Sequence, residues 1–250
     1  MAMTSMPARS RLWIVLTAVL IGMSGAARAG PPMITNDPDT PGPGVWEINL
    51  AMAGGRAHRS LDLSAPDMDI NRGIGERIQL SVHGSWAHAR DHGNWASGFG
   101  DLELGLRYRF LDAEADGVSL AFQPLWVRGW SSAARRRGLA SAHPEWILPI
   151  QVARSFGRYS AGLEVARHWV RQEVDAWQGG VFIAHDCFVG TCLAEINSTR
   201  DDGSRTRAAL NFGMRHPLRE GLLLIGSLGS EISGEDRQPL IFYWGLQYVR

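Results

Sequence analysis

The sequence contains no lysine: its 25 basic residues are all arginine, set against 25 acidic ones. Three arginines and no acid precede Gly30, so the remainder is slightly acidic and lacks the basic footprint of a nucleic-acid binder. After Gly30 no apolar run approaches the roughly 20 residues that a helix needs to span a bilayer, which excludes a helical membrane protein. Cysteine is limited to Cys187 and Cys192 in "CFVGTC". Two thiols cannot complete a tetrahedral metal site, His185 and Asp186 beside them add no recognised spacing, and the pair is not C-x-x-C. Neither G-x-S-x-G nor H-E-x-x-H occurs. Ser81 and His83, two apart on one strand face, are the nearest approach to a nucleophile and base. No enzyme, metal or cofactor is therefore expected, with an outer-membrane hydrolase as the minor alternative.

What is present begins with Arg9 and Arg11 before the apolar stretch "LWIVLTAVLIGM" and the small residues "SGAARAG". That order reads as a secretory signal peptide over 1–29, cleaved after Ala27-Arg28-Ala29; the apolar run is about 12 residues, short for a membrane anchor. In an exported chain the close pair Cys187 and Cys192 is expected to form a disulfide across a short turn.

Residues 30–44, "GPPMITNDPDTPGPG", are Pro-rich and aperiodic, and are expected to be an irregular periplasmic segment. From 45 to 250 the pattern changes. In "FGDLELGLRYRF", Leu102, Leu104, Leu106, Tyr108 and Phe110 share one face of an extended chain, and Asp101, Glu103, Arg107 and Arg109 share the other. Twelve such runs follow one another, near 45–53, 61–71, 76–88, 99–110, 118–130, 145–155, 159–170, 177–186, 192–199, 204–215, 221–231 and 239–249. Their mean length, about ten residues, exceeds the five or six of ordinary strands and matches strands tilted across a bilayer. Tight links such as "GIG" and "FGR" follow the even runs. Several links after odd runs are longer or more charged, such as "ARDHGNWASG" and "SSAARRRGLASAH". The fold class is therefore all-β: an up-and-down antiparallel transmembrane barrel of about 12 strands, with both ends in the periplasm and location in the bacterial outer membrane.

A soluble barrel with the opposite sense of alternation has the same periodicity. The aromatics favour the membrane, because nine tryptophans follow Gly30, mostly near run ends, where interfacial girdles belong. Trp46, Phe110, Tyr159 and Tyr248 are assigned to the periplasmic rim, and Trp86, Trp126, Trp130, Trp146 and Trp169 to the outer one. The last run, "PLIFYWGLQYVR", looks like a substrate of the outer-membrane assembly machinery, although it ends on Arg250 where an aromatic is usual.

The stretches "ITNDPDTPGPGVWEINLA", "PDMDINRGIGERIQLSVHGSW", "GFGDLELGLRYRFLD", "RGLASAHPEWILPIQVARSFGRYSAGLEVARHW" and "RAALNFGMRHPL" resemble the outer-membrane transporter-like family associated with the meta pathway of phenol degradation. The resemblance covers most of the chain after residue 30. It departs in lacking a Pro-Thr-Gly element before "RGLASA" and in a less glycine-rich strand from Tyr159 to Trp169. It implies a barrel that transports small solutes, aromatic or hydrophobic ones among them.

With the apolar faces toward lipid, the charged faces collect in the lumen. The candidate lining is Glu47, Asp67, Asp69, Arg77, His83, Asp101, Glu103, Arg107, Arg109, Glu164, Arg205, Arg207 and Arg215, interleaved with Asn49, Asn71, Gln79, Ser81, Ser160, His168 and Asn211. Twelve strands at about 4.8 Å spacing and about 40° tilt give a barrel roughly 24 Å across and a bore of roughly 10 Å at most. Asp67 and Asp69 are expected near Arg77, and Arg77 near Arg107 and Arg109, a pairing that satisfies buried charge. Two functions stay open: a passive channel for small solutes, and a filled, non-conducting barrel with a structural or surface role. The expected partners are outer-membrane lipid, the assembly machinery and a small-molecule solute.

Overall fold

Long alternating strands can leave no unpaired backbone edge only by closing on themselves, which is what they do in the computed structural model, which describes residues 30–235 and 237–250. The signal-peptide assignment at 1–29 lies outside the described residues. The strands are β1 (Trp46–Arg56), β2 (Ser60–Ile74), β3 (Ile78–Asp91), β4 (Asn94–Leu111), β5 (Ser119–Phe122), β6 (Leu125–Gly129), β7 (Glu145–Phe156), β8 (Tyr159–Val170), β9 (Ala176–Cys187), β10 (Gly190–Asp201), β11 (Arg207–Arg219), β12 (Leu222–Ser233) and β13 (Leu240–Val249). Each pairs antiparallel with its neighbours, and β1 pairs with β13, from Glu47 opposite Val249 to Arg56 opposite Leu240. β5 and β6 are two halves of one stave, since both pair with β4 on one side and β7 on the other. The break falls at Gln123 and Pro124, where proline has no N–H for the ladder. The wall is thus a closed barrel of twelve staves.

Two short helices interrupt the links: α1 (Ala113–Asp116), capped by the Asp112 side chain, and α2 (Ser132–Arg136), capped by Ser131. One rim carries both ends of the wall, with Trp46 and Arg250 hydrogen-bonded to each other, and the turns 75–77, 157–158, 188–189 and 220–221. At the other, distal rim the expected loop "ARDHGNWASG" is corrected. β3 and β4 run on to Asp91 and Asn94, and only His92 and Gly93 turn, with φ of 46° and 90°. Two successive positive φ values are the geometry whose twist matches a hairpin, so paired strand replaces loop there. The long distal link is 130–144, which carries α2.

The cross-section is inside out relative to a soluble protein. Leu104, Leu106, Val181, Phe212 and Leu228 are exposed on the outer surface, whereas Asn49, Gln151, Glu195 and Asn211 are among the largest fully buried side chains. A soluble barrel would invert this sense, because an apolar surface that encircles the molecule is stable only against lipid. Trp126, Trp146 and Trp169 stand opposite one another across β6, β7 and β8, which sets an aromatic row at one height near the distal rim. Trp46, Phe110, Tyr159 and Tyr248 are exposed at the other. One slip in the pattern has a local cause. Leu61 and Leu63 occupy odd positions, Met68 and Ile70 even ones, and the parity changes at a bulge between Ser64 and Asp67 that also accommodates Pro66. At the terminal rim Cys187 and Cys192 form a disulfide across the β9–β10 turn, with Cα atoms 5.8 Å apart.

Candidate functional site in the barrel lumen

Strand register builds the polar wall in rows. Asn49, Asp69, His83 and Glu103 are aligned across β1 to β4, and Glu47, Asn71, Ser81 and Gly105 form the row beside them. Asp69 accepts hydrogen bonds from Asn71 (2.7 Å) and Asn49 (3.1 Å), while Asp67 pairs with His83 at 3.1 Å. Asn49 also donates to Glu47. Ser81 Oγ is buried without a hydrogen-bond partner among the described residues, so it forms no nucleophile–base pair with His83. Glu47, Asp67, Asp69, His83, Glu103, Arg107 and Arg215 border one internal cavity of about 300 Å³.

The other candidates are distributed along the bore. Glu164 is buried and accepts from Gln151 at 2.8 Å. Arg109 faces inward near the terminal rim and pairs with Asp112 and Asp39. Asp101 accepts from the Ser141 amide and hydroxyl at 2.9 and 2.7 Å. Arg77 is exposed in the turn that joins β2 and β3, which begins with Gly75 at positive φ, and it approaches neither Asp67 nor Asp69. The expected acid–arginine pairing through Arg77 is therefore replaced by histidine and asparagine partners. Arg205 lies in the 202–206 loop beside Glu235, because β11 starts only at Arg207, and Arg207 sits at the distal mouth near Asp201.

Residues 30–44 run inside the barrel and cross its bore. The Ile34 and Thr35 amides each donate to a different oxygen of Glu195 at 2.8 Å. Arg215 donates to the Pro31 carbonyl, Ser227 to that of Pro32, Arg107 to that of Asp39, and Thr40 to that of Glu76. Thr35, Asp37 and Thr40 are buried. Wall glycines make the room: a Cβ on Gly73 would fall 1.8 Å from the Gly42 carbonyl oxygen, one on Gly180 2.0 Å from Thr35 Oγ1, and one on Gly213 2.2 Å from Met33 Cε. Only hydrogen lets the wall approach the segment this closely.

At the distal end, the 130–144 loop folds inward onto the same wall. Ala134 and Leu139 are buried against the inner face of Gly98, and Ser141 is held by Asp101. On the outside of the rim, Arg167 bridges Asp175 at 3.1 Å and Asp202 at 2.7 Å. That hydrogen bond holds the Asp202 carboxyl below the usual carboxylate range.

The sequence reading missed Glu195 and Asn197, although "LAEIN" places both on one face of the ninth run, and it missed Gln123, Gln151 and Tyr243. The inward course of residues 30–44 left no periodic signal at all. No protein-family model and no curated protein matches the sequence. Among solved structures, an outer-membrane channel from Pseudomonas putida F1 superposes with a TM-score of 0.67 at 13% identity, covering 91% of this chain and 98% of that one. The NanC porin superposes at 0.57 with 8% identity over 81% of this chain and 99% of that one. The KdgM porin does so at 0.53 with 12% identity over 82% and 98%. With its twelve closed staves, its inverted polarity and these neighbours, the chain has the fold of a bacterial outer-membrane β-barrel of the porin type.

Proposed function

We propose that this chain is a passive outer-membrane channel for small solutes whose bore is narrowed by its own residues 30–44. The terminal rim then faces the periplasm, the aromatic rows meet the two lipid interfaces, and the assembly machinery receives β13. The proposal agrees with the resemblance to the phenol meta-pathway family and with the channel and porin character of the structural neighbours. The observation that carries it is how the segment is held. Wall side chains hold it by side-chain-to-backbone hydrogen bonds, such as those of Glu195 to the Ile34 and Thr35 amides and of Arg215 to the Pro31 carbonyl, and it adds no strand to the ladder. It is separable from the wall, and a separable occluder implies a passage behind it.

The test is conductance in planar bilayers of the mature protein and of a variant lacking residues 31–41. Small currents from the first and several-fold larger ones from the second are expected. Silence from both, with each protein showing the heat-modifiable gel migration of a folded barrel, would establish the filled barrel instead.

A further inference from the structure

The charges at one corner of the distal rim are sorted by face. Leu240, Arg56, Leu61, Arg90 and Trp95 stand opposite one another across β13, β1, β2, β3 and β4, in one row on the outer surface. Asp62 and Asp91 alternate with Leu61 and Arg90 and so face the mouth, where Asp91 pairs with His92 at 2.7 Å. On the outside, a groove of about 590 Å³ is lined by three guanidinium groups and two imidazoles, with no carboxylate, over Leu61 and Leu240. The guanidinium groups belong to Arg56, Arg59 and Arg90. All three residues are exposed, and none has an acid partner among the described residues; Arg90 lies over the Trp95 ring at 5.8 Å instead. Elsewhere on the same rim Arg167 also stands outside, but Asp175 and Asp202 neutralise it. The height of the groove is a second, independent sign. Trp86 and Phe99, an exposed edge-to-face pair with centroids 5.3 Å apart, lie four residues below Arg90 and Trp95 on the same two strands. Four strand residues at about 40° tilt rise roughly 10 Å. With that aromatic pair at the hydrocarbon boundary, the arginines stand in the headgroup layer.

We infer that this groove binds the phosphate headgroup of an anionic lipid in the outer leaflet, with Arg56 and Arg90 on the phosphate and Arg59 beside them. The inference goes beyond the channel reading and takes from it only that the distal rim faces away from the periplasm. A guanidinium group presents paired N–H donors that match two phosphate oxygens at once. Each basic residue at the surface of a charged bilayer adds to the attraction, whereas a lone exposed ion pair in water gains little. The acyl chains have a surface to follow. One row below Arg56, Leu63 and Phe242 stand on either side of Gly54 on the same outer face. A soluble anion on its way to the bore would instead meet the inward carboxylates Asp62 and Asp91, with the arginines on the far side of the wall.

The experiment is isothermal titration calorimetry of the mature protein folded in a nonionic detergent at low ionic strength, with dihexanoyl phosphatidate as probe. Dihexanoyl phosphatidylcholine has the same chains without net charge, and inorganic phosphate has the charge without chains. Phosphatidate is expected to bind at least tenfold more tightly than either. Arg56→Gln and Arg90→Gln should each weaken it about threefold or more and the double variant about tenfold or more, while Arg171→Gln, in the exposed β8–β9 turn of the same rim, leaves it unchanged. Heat-modifiable migration reports whether each variant is folded. Should the strand variants fail to fold, Arg59→Gln in the β1–β2 turn carries the test, with an expected weakening of about twofold or more. Phosphatidylcholine binding equally well would reduce the groove to an apolar surface, and inorganic phosphate binding equally well would make it a site for a free anion. Either result overturns the assignment, as does phosphatidate affinity indifferent to the arginines. A protein that conducts without preferring phosphatidate refutes this inference alone, and one that prefers it without conducting refutes the channel alone.

Discussion

Glu195 accepts two main-chain amides with its two oxygens and a third hydrogen bond from Asn211 at 2.9 Å, while only 2% exposed. Hydrogen bonds to a charged acceptor contribute about 1.5–3 kcal/mol each. Glu195→Gln, which can serve one amide at most with its single carbonyl oxygen, is therefore expected to accelerate amide exchange at Ile34 and Thr35 by about ten- to a hundredfold. Exchange in the β1–β13 pairing should be unaffected, and uniform acceleration across the barrel would show a general loss of stability instead. At this scale the sequence was legible wherever period two applied. Asp69, His83 and Glu103 were placed on the inner face from their parity alone. Thr35 was not, because its partner Asn197 lies on a strand 162 residues away and no local pattern records such a contact. Arg77 and Arg205 were misplaced for a different reason: each sits one or two residues outside a strand, where parity no longer says which way a side chain points.

The elements followed from alternation, and all twelve runs reappear as staves within a few residues. What alternation does not record is the strand end. In "ARDHGNWASG" the polar residues read as loop, yet Arg90 and Trp95 are paired strand residues with the guanidinium over the indole ring at 5.8 Å. The turn depends on His92 and Gly93, both at positive φ. Gly93→Val forces a β-branched side chain into that region and is expected to cost about 1–3 kcal/mol. A lowered urea midpoint for unfolding from lipid vesicles would register the loss. The Gln123-Pro124 break was also invisible, because "LAFQPLW" keeps its parity across the interruption. The inward fold of 130–144 rests on glycines at 98 and 129, whose role emerges only once the loop is seen against them.

For the whole molecule, the decisive property is which medium touches which face. Val181 stands outward in β9 and is 61% exposed. Arginine at such a lipid-facing position costs about 2–4 kcal/mol near the bilayer midplane, so Val181→Arg should lower the vesicle unfolding free energy by that amount. A change within error would mean that the outer surface does not meet hydrocarbon. The sense of alternation, oil outward, was inferred from the tryptophans and strand lengths, and the buried asparagines and glutamines now give it directly.

The location of Gly30 connects the opening feature of the sequence to the lumen. Gly30 borders the internal cavity, and because the sequence has no lysine, cleavage after Ala29 would leave the α-amino group of Gly30 as the single primary amine of the mature chain. An amine-reactive dye therefore attaches at one atom, at the free end of the occluding segment. The barrel thus carries a built-in address for a spectroscopic reporter of whether its bore is occupied or vacated, with no residue changed.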